Sequence, residues 1–313
     1  MIAILAAPTN LGLRPPQPGS VPGCAKAPEA LREAGLHRQL MAQGAEDVGV
    51  VLPGRYVDDL TTNDGAGGSS TVRYRLRNQD AILDHATRFA ARLEQLLAAG
   101  RAPLVLGGDC SLLLGAGMAL ARRGSYGLIH IDGHTDFRHP GNSEACASLA
   151  GEDLAAAVGR HWTAVADPEG TGASFAAQHV AHLGCRDDDE HLAEARGALG
   201  LVIPASRLRG GHDTSSIAAG AARALEVVGR ARDGYWLHLD VDVLDPDHLP
   251  AVDSPDPGGL SLQELTELLT RLAPGAVGVQ VTVFDPDLDP DGRYALLLAD
   301  VLAVGLEHLA AGC

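Results

Sequence analysis

The chain has 313 residues, 46% of them hydrophobic and 20% charged, which is a globular composition. That length suffices for one large α/β domain or for two ordinary ones. Its 40 Asp and Glu against 24 Lys and Arg leave a formal charge of −16, which argues against nucleic acid or an anionic membrane as the main partner. Five widely spaced cysteines, with no CxxC pair, indicate neither a zinc knuckle nor a dithiol redox motif and fit a reducing, cytoplasmic setting.

Taken in chain order, the N-terminal stretch MIAILAAPTN lacks a basic segment and a long apolar run, so Ile2–Ala7 reads as a first strand rather than a signal peptide. No apolar run approaches the roughly 18 residues that a membrane helix needs. Further strands are expected at Pro103–Gly107, Gly127–Asp132, Val180–Gly184, Tyr235–Asp240 and Val277–Phe284. Helical patterns lie at Pro28–Met41, Asn78–Ala99, Leu112–Arg123, Ser215–Ala231, Leu262–Leu272 and Tyr294–Ala310. Strand–helix alternation predicts an α/β fold with a mostly parallel sheet covered by helices on both faces. Asn63–Thr71 and Asp167–Ser174 read as loops, no repeat or linker interrupts the chain, and a single domain over residues 1–313 is expected.

Two motifs carry chemistry. The run LIHIDGHTD, Leu128 to Asp136, takes an apolar strand straight into Asp-x-His-x-Asp. Side chains at i, i+2 and i+4 of an extended segment share one side, so Asp132, His134 and Asp136 are expected to converge at a strand end. The run WLHLDVDVLDP, Trp236 to Pro246, ends a second buried-looking strand with Asp240 and Asp242. Left alone, these acids repel one another, and burying even one unpaired charge costs several kcal/mol. A divalent cation resolves the conflict, and oxygen-rich ligation with one imidazole suits manganese better than structural zinc.

A third feature, LVLGGDCS from Leu104 to Ser111, breaks a strand at a Gly-Gly turn and delivers Cys110 to the same sheet edge. Cys110 is either a small buried residue at a helix start or a metal-facing thiolate. Asp287–Gly292 imitates the start of an EF-hand loop, but Leu298 stands where the closing glutamate belongs, so it reads as an acidic turn before the last helix.

In order, spacing and character, GGDCS, DGHTD, DVDVLDP and the PAVDSPDPGGL stretch from Pro250 to Leu260 resemble the arginase/agmatinase (ureohydrolase) family. The opening segments Ala6–Gly12 and Ala27–Gly35, and the central Leu183–Glu190, are similar as well. The resemblance implies a three-layer α/β/α fold with a central, mostly parallel sheet. It implies two Mn2+ ions that activate water for attack on a guanidinium carbon, releasing urea and an amine from a small-molecule substrate. It also implies a homo-oligomer, a trimer or hexamer. By matching position, Asp132 and Asp240 bridge the two ions, His134 and Asp242 complete one site, and Asp136, with Cys110, the other. Asp189 looks similar to the acid that holds a substrate's amino group, and Ser254 is the second candidate for substrate binding. Asp136 and His139 are the candidate catalytic residues.

Three positions depart from the pattern. Cys110 stands where the family has a histidine ligand, and thiolate matches manganese poorly, which leaves one ion or another divalent metal as the alternative to two Mn2+. Ala150 occupies the loop position of a proton-shuttling histidine, for which His139 is either the substitute or an unrelated surface residue. Val283 stands where a glutamate grips the guanidinium. The leading expectation is therefore a metal-dependent hydrolase of a C–N bond in a guanidino or amidino compound, with altered selectivity. The alternatives are a non-catalytic family member binding one metal or a small ligand, and a one-metal amide hydrolase.

Overall fold

The computed structural model describes residues 1–60, 75–209 and 215–312. Among them, eight strands form one sheet: β1 (Ile2–Ala7), β2 (Glu46–Val50), β3 (Ala102–Gly107), β4 (Gly127–Ile131), β5 (Val180–Leu183), β6 (Leu201–Ile203), β7 (Tyr235–Asp240) and β8 (Ala276–Thr282). Their order is β2-β1-β3-β8-β7-β4-β5-β6. Every pairing among these strands is parallel, so the sheet is parallel throughout rather than mostly so. The strands at the centre are apolar almost end to end because both of their faces are covered.

Parallel strands need crossovers, and helices supply them. In chain order these are α1 (Ala27–Glu33), α2 (Leu36–Ala42), α3 (Gln79–Ala98), α4 (Leu112–Ala121), α5 (Asp153–Ala157), α6 (Thr163–Ala166), α7 (Leu192–Ala198), α8 (Ala205–Leu208), α9 (Ser215–Val228), α10 (Leu262–Leu272) and α11 (Arg293–Gly305). Alternate strand residues point to opposite faces and build two cores. Ile4, Leu104, Leu106, Ile129, Ile131, Leu237 and Leu239 pack with α1, α2, α9, α10 and α11. Ala3, Leu5, Val105, Leu128 and Trp236 pack with α3, α4 and α5. The result is a three-layer α/β/α arrangement. No helix among the described residues is long and apolar enough to cross a membrane.

The differences from the sequence reading have local causes. The strands that it omits, β2 and β6, are the two sheet edges; β2 is half exposed and polar, and β6, though apolar, has only three residues, too few to show as a strand. The expected helix Pro28–Met41 is two helices, because Gly35 adopts φ +93° between them. Helices α5 to α8 are too short to display a 3.6-residue period. Asp167–Ser174 is a loop, as expected, and the expected loop Asn63–Thr71 lies outside the described residues. The EF-hand-like turn closes on itself: Asp289 accepts from Tyr294 N and Ala295 N at the start of α11.

Candidate metal centre

Strands β4 and β7 are neighbours in the sheet, so their carboxyl ends bring the two acidic motifs together. The convergence does not come from simple strand alternation. The backbone bends after Ile131, and Asp136 takes a left-handed conformation with φ +46°. After Asp240 the chain winds into a 3-10 turn, in which Asp240 Oδ1 accepts from Asp242 N at 2.8 Å. These bends still aim the side chains inward. His134 Nδ1 lies 2.8 Å from Asp242 Oδ2 and 3.9 Å from Asp132 Oδ1. Asp242 Oδ1 accepts from Gly133 N, and Arg186 holds the Asp242 carbonyl, locking the two loops together.

Cys110 reaches the same point from the turn after β3. Gly108 permits this, since a Cβ there would stand 1.7 Å from Thr9 O. The Cys110 Sγ donates to Asp240 Oδ2 at 2.9 Å and contacts Thr282 Oγ1 at 3.2 Å. Burial, and then the Asp240 charge, push the thiol pKa well up, so Cys110 acts here as a thiol donor. It is fully buried and also faces the site, which joins the two readings that its sequence position allows.

Burial raises the carboxyls of Asp132, Asp136 and Asp240 well above the usual carboxylate range, and their mutual repulsion adds to it. His134 is raised as well, but by charge rather than by burial, so its charged form is the one favoured. The Asp242 charge raises it to about 12, and His134 in turn depresses Asp242 against the effect of burial.

A group that sequence reasoning missed lies directly beneath. His182, His130, His238 and Gln280 are in register on β5, β4, β7 and β8, all fully buried. His130 stacks on His238 at 4.4 Å between centroids and meets His182 Nδ1 to Nδ1 at 3.0 Å. Burial drives the His130 pKa down to about 3 and those of His182 and His238 well below 6.5, so all three are neutral. Asp153 in α5 completes the group. A rigid loop places it: Glu152 accepts from Ala147 N, Ser148 N and His161, and Ala150 N donates to Gly12 O. A signal was present in the sequence, since His-x-Asp occurs at the end of both β4 and β7.

Whether these residues fit a cation can be read from their unmet polar atoms. Asp132 Oδ2, both Asp153 oxygens, His130 Nε2 and His238 Nε2 are buried without a hydrogen-bond partner. Sets such as Cys110/Asp132/Asp240 and His130/Asp136/Asp153 offer ligand atoms within 4.8 Å of one another. Unpaired buried polar atoms are rare in folded proteins, and this density of oxygen and imidazole donors fits a divalent metal.

The site forms the floor of a cleft of about 850 Å³. Its lining includes ten carboxylate residues against three arginines, so it favours a cationic guest. Asp136, Asp189, Asp240, Asp242, His134 and Ser254 all line it. Asp189 is fixed by Thr135 N, Thr135 Oγ1 and His191 N at 2.7 to 2.9 Å. The Ser254 hydroxyl lies 3.4 Å from Asp253 Oδ2. His139 is not brought into the cleft lining. It is largely buried, its Nε2 meets Glu194 at 2.9 Å, and its Nδ1 accepts from Gly141 N. Ala150 and Val283 do line the cleft. Val283 holds φ +76°, a strained backbone for a β-branched residue, pinned by its N–H donating to Gly108 O at 2.7 Å.

The family model described as Arginase family matches residues 2–306. The chain belongs to the arginase family. An arginase of Bacillus caldovelox is 28% identical over 303 residues, covering 94% of each sequence. The native structure of the Bacillus caldovelox arginase superposes on this arginase-family chain with a TM-score of 0.82 at 27% identity, covering 97% of both chains. A proclavaminate amidino hydrolase from Streptomyces clavuligerus shares the fold, with a TM-score of 0.70 at 23% identity over 99% of this chain and 91% of that one. At such identities this arginase-family member is divergent, and the substrate follows from its own cleft rather than from its relatives.

Proposed function

We propose that the chain is a metal-dependent hydrolase of a C–N bond in a guanidino or amidino compound. The observation that carries this reading is the convergence of His134, Asp136, Asp240 and Asp242 on the floor of an acidic cleft, with Asp132 buried against them. Asp132 and Asp240 would help to hold both ions, His134 and Asp242 an outer one and Asp136 an inner one. Manganese is the ion that we expect from this oxygen-rich set. A divalent ion held there would supply the chemistry by lowering the pKa of water and polarising the carbon under attack.

The chain's own residues do the rest. The acidic walls draw in and hold a cation, and Asp189, rigidly placed by Thr135, binds the amino end of the substrate. Ser254 contributes a hydroxyl at the same wall. With Ala150 in the loop and His139 turned to Glu194, Asp136 is the residue that we assign to proton transfer at the floor. Val283 leaves the guanidinium end without a charged partner, which favours a substrate whose amidine end is less demanding than that of arginine.

The test is a screen of guanidino and amidino compounds for urea or amine release by manganese-loaded protein, with Asp240→Asn as the control. Turnover that Asp240→Asn removes is the expected result. Loaded protein that retains metal and turns over no such compound would favour the second reading, a metal-binding member without amidinohydrolase activity. The replaced positions Ala150 and Val283 in the cleft wall are what give that reading weight.

A further inference from the structure

The row of buried histidines and Asp153 have no part in the site so far, yet their unpaired atoms point at one another. Asp153 Oδ1 lies 3.6 Å from His130 Nε2, and Asp153 Oδ2 lies 3.9 Å from His238 Nε2. His130 Nε2 is also 3.9 Å from Asp132 Oδ2. His130 Nε2, His238 Nε2 and Asp132 Oδ2 have no hydrogen-bond partner, the carboxyl of Asp153 has that of Asp136 within reach, and the side chains of Asp132, Asp153 and His130 are essentially inaccessible. Asp136 and Asp153, two buried acids within hydrogen-bonding reach of each other beside His130, demand either a shared proton or a cation.

The tautomers separate ligand from support. Trp236 Nε1–H donates to Gln280 Oε1 at 3.1 Å, which fixes the amide orientation. Gln280 Nε2 must then donate to His238 Nδ1 at 2.7 Å. Neutral His238 therefore carries its proton on Nε2, the atom facing Asp153, and acts as a donor rather than a ligand. His130 differs. If its Nδ1–H donates to His182 Nδ1, its Nε2 lone pair is directed at Asp132 and Asp153. That is the arrangement in which a ligating imidazole is usually held, with the second nitrogen donating.

We propose that His130 and Asp153, together with Asp132 and Asp136, form an inner divalent-cation position, in which His130 supplies the imidazole that Cys110 cannot. Ligand atoms about an ion with bonds of about 2.0–2.2 Å sit roughly 3.0–3.6 Å apart, so the observed separations close onto a metal with small side-chain rotations. The ligand class is a first-row divalent cation that accepts nitrogen and oxygen donors. Cys110 remains a thiol that orients Asp240. The inference deepens the metal-dependent reading above and rests on it.

The experiment measures manganese equivalents per chain by elemental analysis after gel filtration, with melting temperatures taken with and without manganese. Wild type is compared with Asp153→Asn and His130→Gln. The expected result is one equivalent fewer in both variants, a smaller manganese-induced rise in melting temperature, and a metal-free Asp153→Asn that melts no lower than wild type. A purely structural Asp153 would instead lower the metal-free melting temperature and leave the equivalents unchanged, which overturns the proposal. If Asp153→Asn does not fold, His130→Gln decides by the same comparison. Equal equivalents in wild type and His130→Gln overturn the inner position while leaving the hydrolase reading intact. A wild type that takes up no manganese overturns both.

Discussion

His134 Nδ1 lies 2.8 Å from Asp242 Oδ2, so two residues proposed to hold the outer ion are paired with each other. The Asp242 charge holds His134 protonated up to about 12. Burial likewise keeps protons on Asp132, Asp136 and Asp240. Metal uptake must expel them. Manganese titration by calorimetry in two buffers of different ionisation heat should show net proton release. The apparent affinity should rise about tenfold per pH unit for each proton released between pH 6 and 8. Identical heats in both buffers would mean that the ligands are already ionised before the metal arrives.

Metal-free stability should respond to pH with a definite sign. The carboxyls of Asp132, Asp136, Asp153 and Asp240, and the imidazole of His134, have folded pKa values raised above 3.8 and 6.5. Their contributions are complete below those unfolded values and are lost as pH rises towards the folded ones. His130, His182 and His238 are depressed below 6.5, so their contribution is complete above that pH and is lost below it. Above pH 6.5 only the first set acts, and the melting temperature of metal-free protein should fall as pH is raised to 8. Manganese-saturated protein should not show this fall. A flat metal-free profile would contradict the buried cluster.

Val283 combines a left-handed backbone, φ +76°, with a place in the cleft wall. Val283→Glu should lower KM for cationic guanidino compounds by tenfold or more, because a buried carboxylate pairs with the guanidinium. The same change should destabilise the unliganded protein by about 1–3 kcal/mol, since it adds an unpaired charge to an acidic cleft. Steady-state kinetics and chemical denaturation read the two effects. A KM that does not move would place the guanidinium end elsewhere.

His139 bridges its own loop to Glu194 in α7, with Asn142 and Arg160 on the same carboxylate. His139→Ala should lower stability by about 1–2 kcal/mol through the loss of a partly buried charge-assisted bond. Manganese equivalents should be unchanged, and the substitution should not alter the pH dependence of kcat. A shifted pH–kcat profile would return His139 to a role in proton transfer.

Much of this architecture is legible in the residues themselves. Six of the strands follow from short apolar runs, because central parallel strands are buried on both faces and show it in composition. The Asp-x-His-x-Asp and Asp-x-Asp runs after β4 and β7 point to a cluster of acids at one end of the sheet, because buried carboxylates in that number call for a cation or for protons. Edge strands β2 and β6 escape the same logic because β2 is polar and largely open to water and β6 has only three residues.

Only the tertiary structure decided which residues meet. His130, His182, His238 and Gln280 come from four strands spread over residues 130 to 280, and strand order and register bring them into one row. Asp153 reaches Asp136 and His130 because a loop anchored at Gly12 and Glu152 folds back under the sheet edge. His139 is turned from the cleft by a partner 55 residues away. Period and composition report the environment of a residue along its own segment, whereas these contacts depend on long-range packing, which leaves no local pattern in the chain.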